Sequence, residues 1–77
     1  MKYRVLYART KTGYSAHFPD LPGCIAAART LEGTRQLMKE AVSFHLEEMQ
    51  LHGERIPEPT TIGEEIEVAG PFTIVVP

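Results

Sequence analysis

The chain has 77 residues, with one cysteine, no tryptophan, 43% hydrophobic residues and a formal net charge of −2. That length makes one domain, 1–77, and a chain so short hides only roughly 60% of its unfolded surface when it folds alone. One cysteine excludes an internal disulfide, no run approaches the ~20 apolar residues of a membrane span, and the net charge gives no general pull toward nucleic acid.

In chain order, residues 2–8 alternate as a strand does, with Tyr3, Val5 and Tyr7 on one face and Arg4, Leu6 and Ala8 on the other. Arg9-Thr10-Lys11-Thr12-Gly13 is polar and ends in glycine, which predicts a hairpin loop. A second strand follows over residues 14–18, with Tyr14, Ala16 and Phe18 on one side and Ser15 and His17 on the other.

The run Phe18-Pro19-Asp20-Leu21-Pro22-Gly23-Cys24 comes next and no helix can pass through it. Each proline fixes its own φ near −65° and holds the preceding residue extended. Gly23 tolerates positive φ, so a sharp turn is expected after Pro22. Asp20 is expected to accept from backbone N–H groups one or two residues on, as in an Asx turn. The stretch reads as a rigid connection between strands. Beyond it, residues 24–28 are small and apolar and make a third strand on context, since alanine has poor strand propensity.

Thr30 is a good N-cap for a helix, with Leu31 and Glu32 in its first turn. Gly33 stands where a capping-box glutamate would be best, so the start is expected to slip by as much as a turn. From Thr34 the helical pattern runs to His52, Gly53 supplies the residue after the cap, and Pro57 and Pro59 prevent a restart. At 100° per residue, Leu31, Met38, Val42 and Met49 form one apolar stripe and Leu37, Ala41, Phe44 and Leu51 a second. One stripe packs on the sheet; the other is either more core or a surface for another chain. In the tail, Ile66 and Val68 alternate, Gly70-Pro71 breaks the run, and residues 72–76 form a β-branched fourth strand.

The result is an α+β chain of order β-β-β-α-β. The expected form is a two-layer sandwich with sheet order 3-2-1-4 and the one long helix across one face. The exposed second face and the small size make a homodimer the default. The lone Cys24 fits a reducing compartment, and no signal-peptide core is present at the N-terminus, so a cytoplasmic location is expected. Charge is split along the chain. Residues 1–39 carry seven basic side chains against Asp20 and Glu32, a net of +5, and residues 40–77 carry Arg55 against eight glutamates, a net of −7. Such polarity orients self-pairing or attracts a basic partner, or else marks two solvated faces.

Catalytic sets are missing. His45 and His52 lie about 10 Å apart along the helix axis, too far to share an ion. A reactive Cys24 would want a base, and His17 is the one candidate near it in sequence. The first three strands carry no carboxylate for two-metal chemistry, and Thr12-Gly13 is too little for a phosphate loop. No catalytic, metal or cofactor residues are assigned and no cofactor is implied. Tyr3, Tyr7, Tyr14 and Phe18 with Arg4 and Arg9 offer an alternative, stacking on single-stranded RNA from the exposed sheet face. The residues read as a binding module and not an enzyme.

Gly13-Tyr14-Ser15-Ala16 leading into Phe18-Pro19-Asp20-Leu21-Pro22-Gly23-Cys24, then Thr30-Leu31-Glu32, then Gly53-Glu54-Arg55-Ile56-Pro57-Glu58-Pro59, resembles the HicB family of antitoxins over roughly residues 1–60. The resemblance implies a partial ribonuclease-H-like fold without the catalytic acids. It makes Pro19, Asp20, Leu21, Pro22, Gly23 and Cys24 the structural signature. It also implies a partner, a small basic HicA-type toxin that cleaves mRNA, whose active site the domain covers. Glu47, Glu48, Glu54 and Glu58 are the acidic positions expected to meet such a toxin. Gly33 departs from the family pattern, and a C-terminal DNA-binding segment of the kind found in operon-repressing members is not present, so direct DNA binding is not expected. The alternative function is a solitary RNA- or ligand-binding module on the same fold.

Overall fold

The computed structural model describes residues 1–75. Three strands, β1 (Leu6–Arg9), β2 (Tyr14–His17) and β3 (Ile25–Ala28), precede one helix, α1 (Leu31–Leu51). The sheet has the order β1-β2-β3 and is antiparallel throughout. Leu6 pairs with His17 and Arg9 with Tyr14, while Tyr14 pairs with Ala28 and His17 with Ile25. The predicted alternation sets the register: Tyr7, Ala16 and Ala26 lie in one row facing α1 and are all at least half-buried.

β1 is shorter than expected, and the corner is the reason. The register that pairs Leu6 with His17 would set Val5 opposite Phe18 and Arg4 opposite Pro19. Pro19 has no N–H to give, and the chain turns away at Phe18. Residues 2–5 stay outside the ladder but keep the alternation, with Tyr3 and Val5 packed on the core.

The corner consists of two consecutive turns that share Leu21. The Leu21 N–H donates to the Phe18 carbonyl at 3.0 Å, and the Cys24 N–H donates to the Leu21 carbonyl at 3.1 Å. In the second turn Pro22 occupies the position that wants φ near −60° and Gly23, at φ 86°, the position that wants it positive. The Phe18 N–H then closes the connection on the Cys24 carbonyl at 3.3 Å.

The helix starts where the Thr30 signal places it, without the slip. Thr30 is extended and its Oγ1 accepts from the Gly33 N–H at 2.9 Å. A Cβ on Gly33 would stand 2.9 Å from that same oxygen, so glycine is what the cap accommodates. At the other end the Glu54 N–H reaches the Met49 carbonyl and the Gly53 N–H the Gln50 carbonyl, a Schellman ending with Gly53 at φ 68°.

α1 lies across β2 and β3. Ala16, Phe18, Leu21, Cys24 and Met38 are the buried core, with Tyr3, Val5, Tyr7, Ala26, Ala41, Val42 and Leu46 packed against it. The Tyr3 and Phe18 rings meet edge to face with centroids 6.4 Å apart. Thr34 is fully buried, and its hydroxyl donates to the Thr30 carbonyl at 2.9 Å.

The fourth strand is where expectation and structure part. Among the described residues nothing after α1 forms a strand, and residues 72–75 are exposed; Val76, the last residue of that expected strand, and Pro77 lie outside the described residues. The observed order therefore matches 3-2-1 of the expected 3-2-1-4. The tail leaves the domain, and the long axis measures 51 Å against 26 and 17 Å for the other two.

Candidate partner-binding surface

Asp20 stands at the outer bend of the corner, and its carboxylate holds the segment that follows the helix. Oδ2 accepts from the Thr60 N–H at 3.0 Å and the Thr61 N–H at 3.1 Å. Oδ1 accepts from the Thr60 hydroxyl at 3.1 Å and the Thr61 hydroxyl at 2.7 Å. The local Asx turn expected from the sequence is replaced by a clamp across 40 residues of chain, because two adjacent threonines offer four donors where a local turn offers one or two. The Tyr3 hydroxyl adds a bond to the Pro57 carbonyl.

The clamp folds the segment after Gly53 back toward the corner and leaves a cleft of about 390 Å³. Leu21 and Pro22 line it from the corner, His45, Glu48, Met49 and His52 from α1, and Glu54 and Pro57 from the returning chain. His52 Nε2 is 3.3 Å from a Glu48 carboxylate oxygen. Two of the four acidic positions singled out in the sequence, Glu48 and Glu54, thus share one cleft. Glu47 lies outside the cleft, beside Gln50 and Leu51, and Glu58 is exposed on the returning segment.

The two apolar stripes of the helix separate cleanly, apart from one residue in each. Met38, Val42 and Met49 turn inward, while Leu31 is partly exposed at the helix start. Leu37, Phe44 and Leu51 are 41%, 66% and 79% exposed, spaced by seven on the outer face; Ala41, the remaining member of that stripe, packs on the core. An aromatic and two leucines in a row with Glu40 and Glu47 between them make an acidic-edged apolar ridge.

Against known families, residues 3–75 match the HicB-like antitoxin of bacterial toxin–antitoxin systems. The chain belongs to this family. It is also similar to a 14.9 kDa protein from the rep-hol intergenic region of Haemophilus phage HP1, at 36% identity over 66 residues, 86% of this chain and 50% of that protein. A UPF0150 protein of Thermoplasma acidophilum is 35% identical over 58 residues, 74% of this chain and 84% of that one. This chain therefore spans half the length of the phage relative and most of the archaeal one. Among solved structures, a chain of the HicA3 and HicB3 toxin–antitoxin complex superposes with a TM-score of 0.67 at 28% identity, covering 78% of this chain and 70% of that chain.

In this HicB-like chain residues 19–24 build the corner. Leu21 and Cys24 are buried, Pro19, Pro22 and Gly23 shape the turns, and Asp20 anchors the return segment. Burial raises the Cys24 pKa, which keeps the thiol protonated and poorly nucleophilic. His17 points to the outer sheet face in the row of Leu6 and Ile25, away from the core in which Cys24 sits. Among the described residues no three of His, Cys, Asp and Glu are grouped to hold a metal ion, and no helix is long and apolar enough to cross a membrane.

The aromatic residues do not stand where RNA stacking needs them. Tyr3, Tyr7, Tyr14 and Phe18 all lie on the helix side of the sheet, half-buried or buried, with the Arg35 guanidinium 6.0 Å over the Tyr7 ring. The outer face presents Leu6, Ala8, Ser15, His17, Ile25 and Ala27 instead. The alternation read from the sequence stands, and these aromatics are core and edge residues; the RNA alternative needs them on the exposed face. Sequence reasoning missed Thr60 and Thr61, whose one signal is a pair of hydroxyl donors directly after Pro57-Glu58-Pro59.

The clamp makes a pH prediction. The Thr61 hydroxyl and then the Thr61 N–H hold the Asp20 carboxyl below its ordinary value of 3.8; desolvation, next in size, opposes them, and the two Thr60 donors add to the lowering. A lowered folded-state pKa gives stabilisation that is complete above the unfolded value and is lost as pH falls through the folded one. The amide NMR signals of Thr60 and Thr61 should therefore titrate together with a midpoint below 3.8, and Asp20→Ala should remove that titration and speed exchange of both amides. A midpoint at or above the ordinary value would show that the clamp does not form.

Proposed function

We propose that this chain is the antitoxin half of a toxin–antitoxin pair, a non-enzymatic protein that binds a small basic HicA-type mRNA ribonuclease and covers its active site. The observation that carries the reading is family membership over residues 3–75, supported by likeness to a chain of a complex whose name pairs HicA3 with HicB3. The binding surface in this reading is the acidic, apolar-ridged side of α1 and the cleft beside it. Leu37, Phe44 and Leu51 supply apolar area, and Glu47, Glu48, Glu54 and Glu58 supply charge opposite to the toxin's. The protein acts in the cytoplasm, where a messenger-cleaving toxin would act, and works as a homodimer. The fuller fold of the reading is the partial ribonuclease-H-like one with a fourth strand beside β1. The absence of carboxylates from β1, β2 and β3 agrees with a ribonuclease-H-like frame put to binding.

The test is inhibition of RNA cleavage by a purified HicA-type ribonuclease, titrated with the full chain. Stoichiometric inhibition is expected, with association slowing as salt rises because the charges are exposed. The double variant Glu47→Lys and Glu48→Lys should weaken binding by about tenfold or more at low salt, chiefly through slower association, while leaving the helix intact. Full cleavage under a saturating excess of the wild-type chain would overturn the reading.

A further inference from the structure

The tail is an apolar segment without a place in its own domain. Ile66, Val68, Phe72, Ile74 and Val75 are each between 71% and 87% exposed. The radius of gyration is 15.3 Å, against about 11.5 Å for a compact chain of this length. The tail is rooted by the Asp20 clamp and passes Arg4, where a Cβ on Gly63 would meet the Arg4 side chain at 3.0 Å. From that point β1 ends five residues on at Arg9, a span of about 17 Å, whereas an extended chain carries Phe72 about 30 Å from Gly63. In either direction along β1, residues 72–75 overshoot their own sheet unless the tail doubles back.

A matching vacancy lies on the sheet. Among the described residues β1 pairs only with β2, so its other edge presents free N–H and C=O groups over Leu6–Arg9, while residues 2–5 run beside the returning segment at Pro59, Thr61 and Gly63. Beside that edge stand Lys2, Arg4, Arg9 and Lys11, and the tail carries Glu64, Glu65 and Glu67. The outer edge of β3 is flanked by Arg29 alone. The charge pattern therefore favours β1. The outer sheet face next to that edge exposes Leu6, and a strand laid there would set alternate residues from Phe72 and Ile74 beside it.

We propose that two copies of this chain exchange tails, residues 72–75 of each adding a strand to the free β1 edge of the other. This deepens the homodimer reading given above and rests on it. The exchange restores the fourth position beside β1 with a strand from the second copy.

Sedimentation velocity of the full chain, wild type and Ile74→Pro, tests it, with circular dichroism to confirm that α1 is retained. A wild-type dimer that shifts to monomer in Ile74→Pro, its dissociation constant raised at least tenfold, supports the exchange. A dimer unaffected by Ile74→Pro overturns the exchange and leaves self-association standing; a wild-type monomer overturns both. Mixed cross-linking separates exchange from a tail folded back on its own β1. A disulfide between one chain carrying Ala8→Cys and another carrying Ile74→Cys is expected. Closure within single chains of the Ala8→Cys, Ile74→Cys double variant, with none between the mixed single variants, overturns it.

Discussion

Leu21→Ala is expected to destabilise the fold by about 3 kcal/mol, within the range seen when a fully buried leucine is cut to alanine. Leu21 is 1% exposed and belongs to the cluster of Phe18, Cys24, Ala16 and Met38. Its backbone also closes both turns of the corner, donating to Phe18 and accepting from Cys24. The truncation therefore empties space at a place held rigid by Pro19 and Pro22, where the surroundings cannot collapse to fill it. For a chain of this size, about 3 kcal/mol lowers the melting temperature by roughly 12–24 °C. It also removes a large share of a total stability of order 4–12 kcal/mol. Thermal and urea melts followed by circular dichroism would measure it, with Leu51→Ala as the control. Leu51 is 79% exposed and should change stability by no more than about 0.5 kcal/mol in the monomer. A loss under about 1 kcal/mol at Leu21 would mean that the corner is not part of the core.

The parts of this fold that were legible in the sequence are those decided by neighbours along the chain. The alternation of Tyr3, Val5 and Tyr7, the Thr30 cap, the Gly53 ending and the positive φ of Gly23 each depend on a few adjacent residues, and each stands where the pattern puts it. What the sequence could not show depends on contacts made far along the chain. Asp20 looked local because an aspartate among prolines usually is, but its partners are Thr60 and Thr61. The acidic positions looked equivalent, but the helix sets Glu48 in the cleft and Glu47, about 100° around, on the ridge beside it. Residues 72–75 have strand composition, yet they form no strand among the described residues and stand exposed. The Gly33 departure from the HicB-like pattern looked like a weakness in the helix start, and the cap geometry explains it.

Gly13→Ala carries the other large effect, and its cause is also a contact across the fold. The loop from Thr10 to Gly13 closes with the Thr10 N–H on the Gly13 carbonyl at 2.9 Å, and then enters β2 opposite the end of β3. A Cβ on Gly13 would fall 2.2 Å from the Ala28 carbonyl oxygen and 2.6 Å from the Arg29 Cα. Both are backbone atoms, so no rotamer change relieves the clash. Either the hairpin loop lifts from β3 or the junction between β3 and α1 moves, and that junction carries the Thr30 cap. The expected cost is about 3 kcal/mol, the upper end for overpacking, with the loss of amide protection starting at residues 28–34. Gly63→Ala is the matched control. There the Cβ meets the Arg4 side chain, which can swing away, and the change should stay within about 0.5 kcal/mol. Equal melts for Gly13→Ala and the wild type would show that β3 and the hairpin loop stand further apart than the structure places them. The register of β2 on β3, which sets where the helix begins, would then need redrawing.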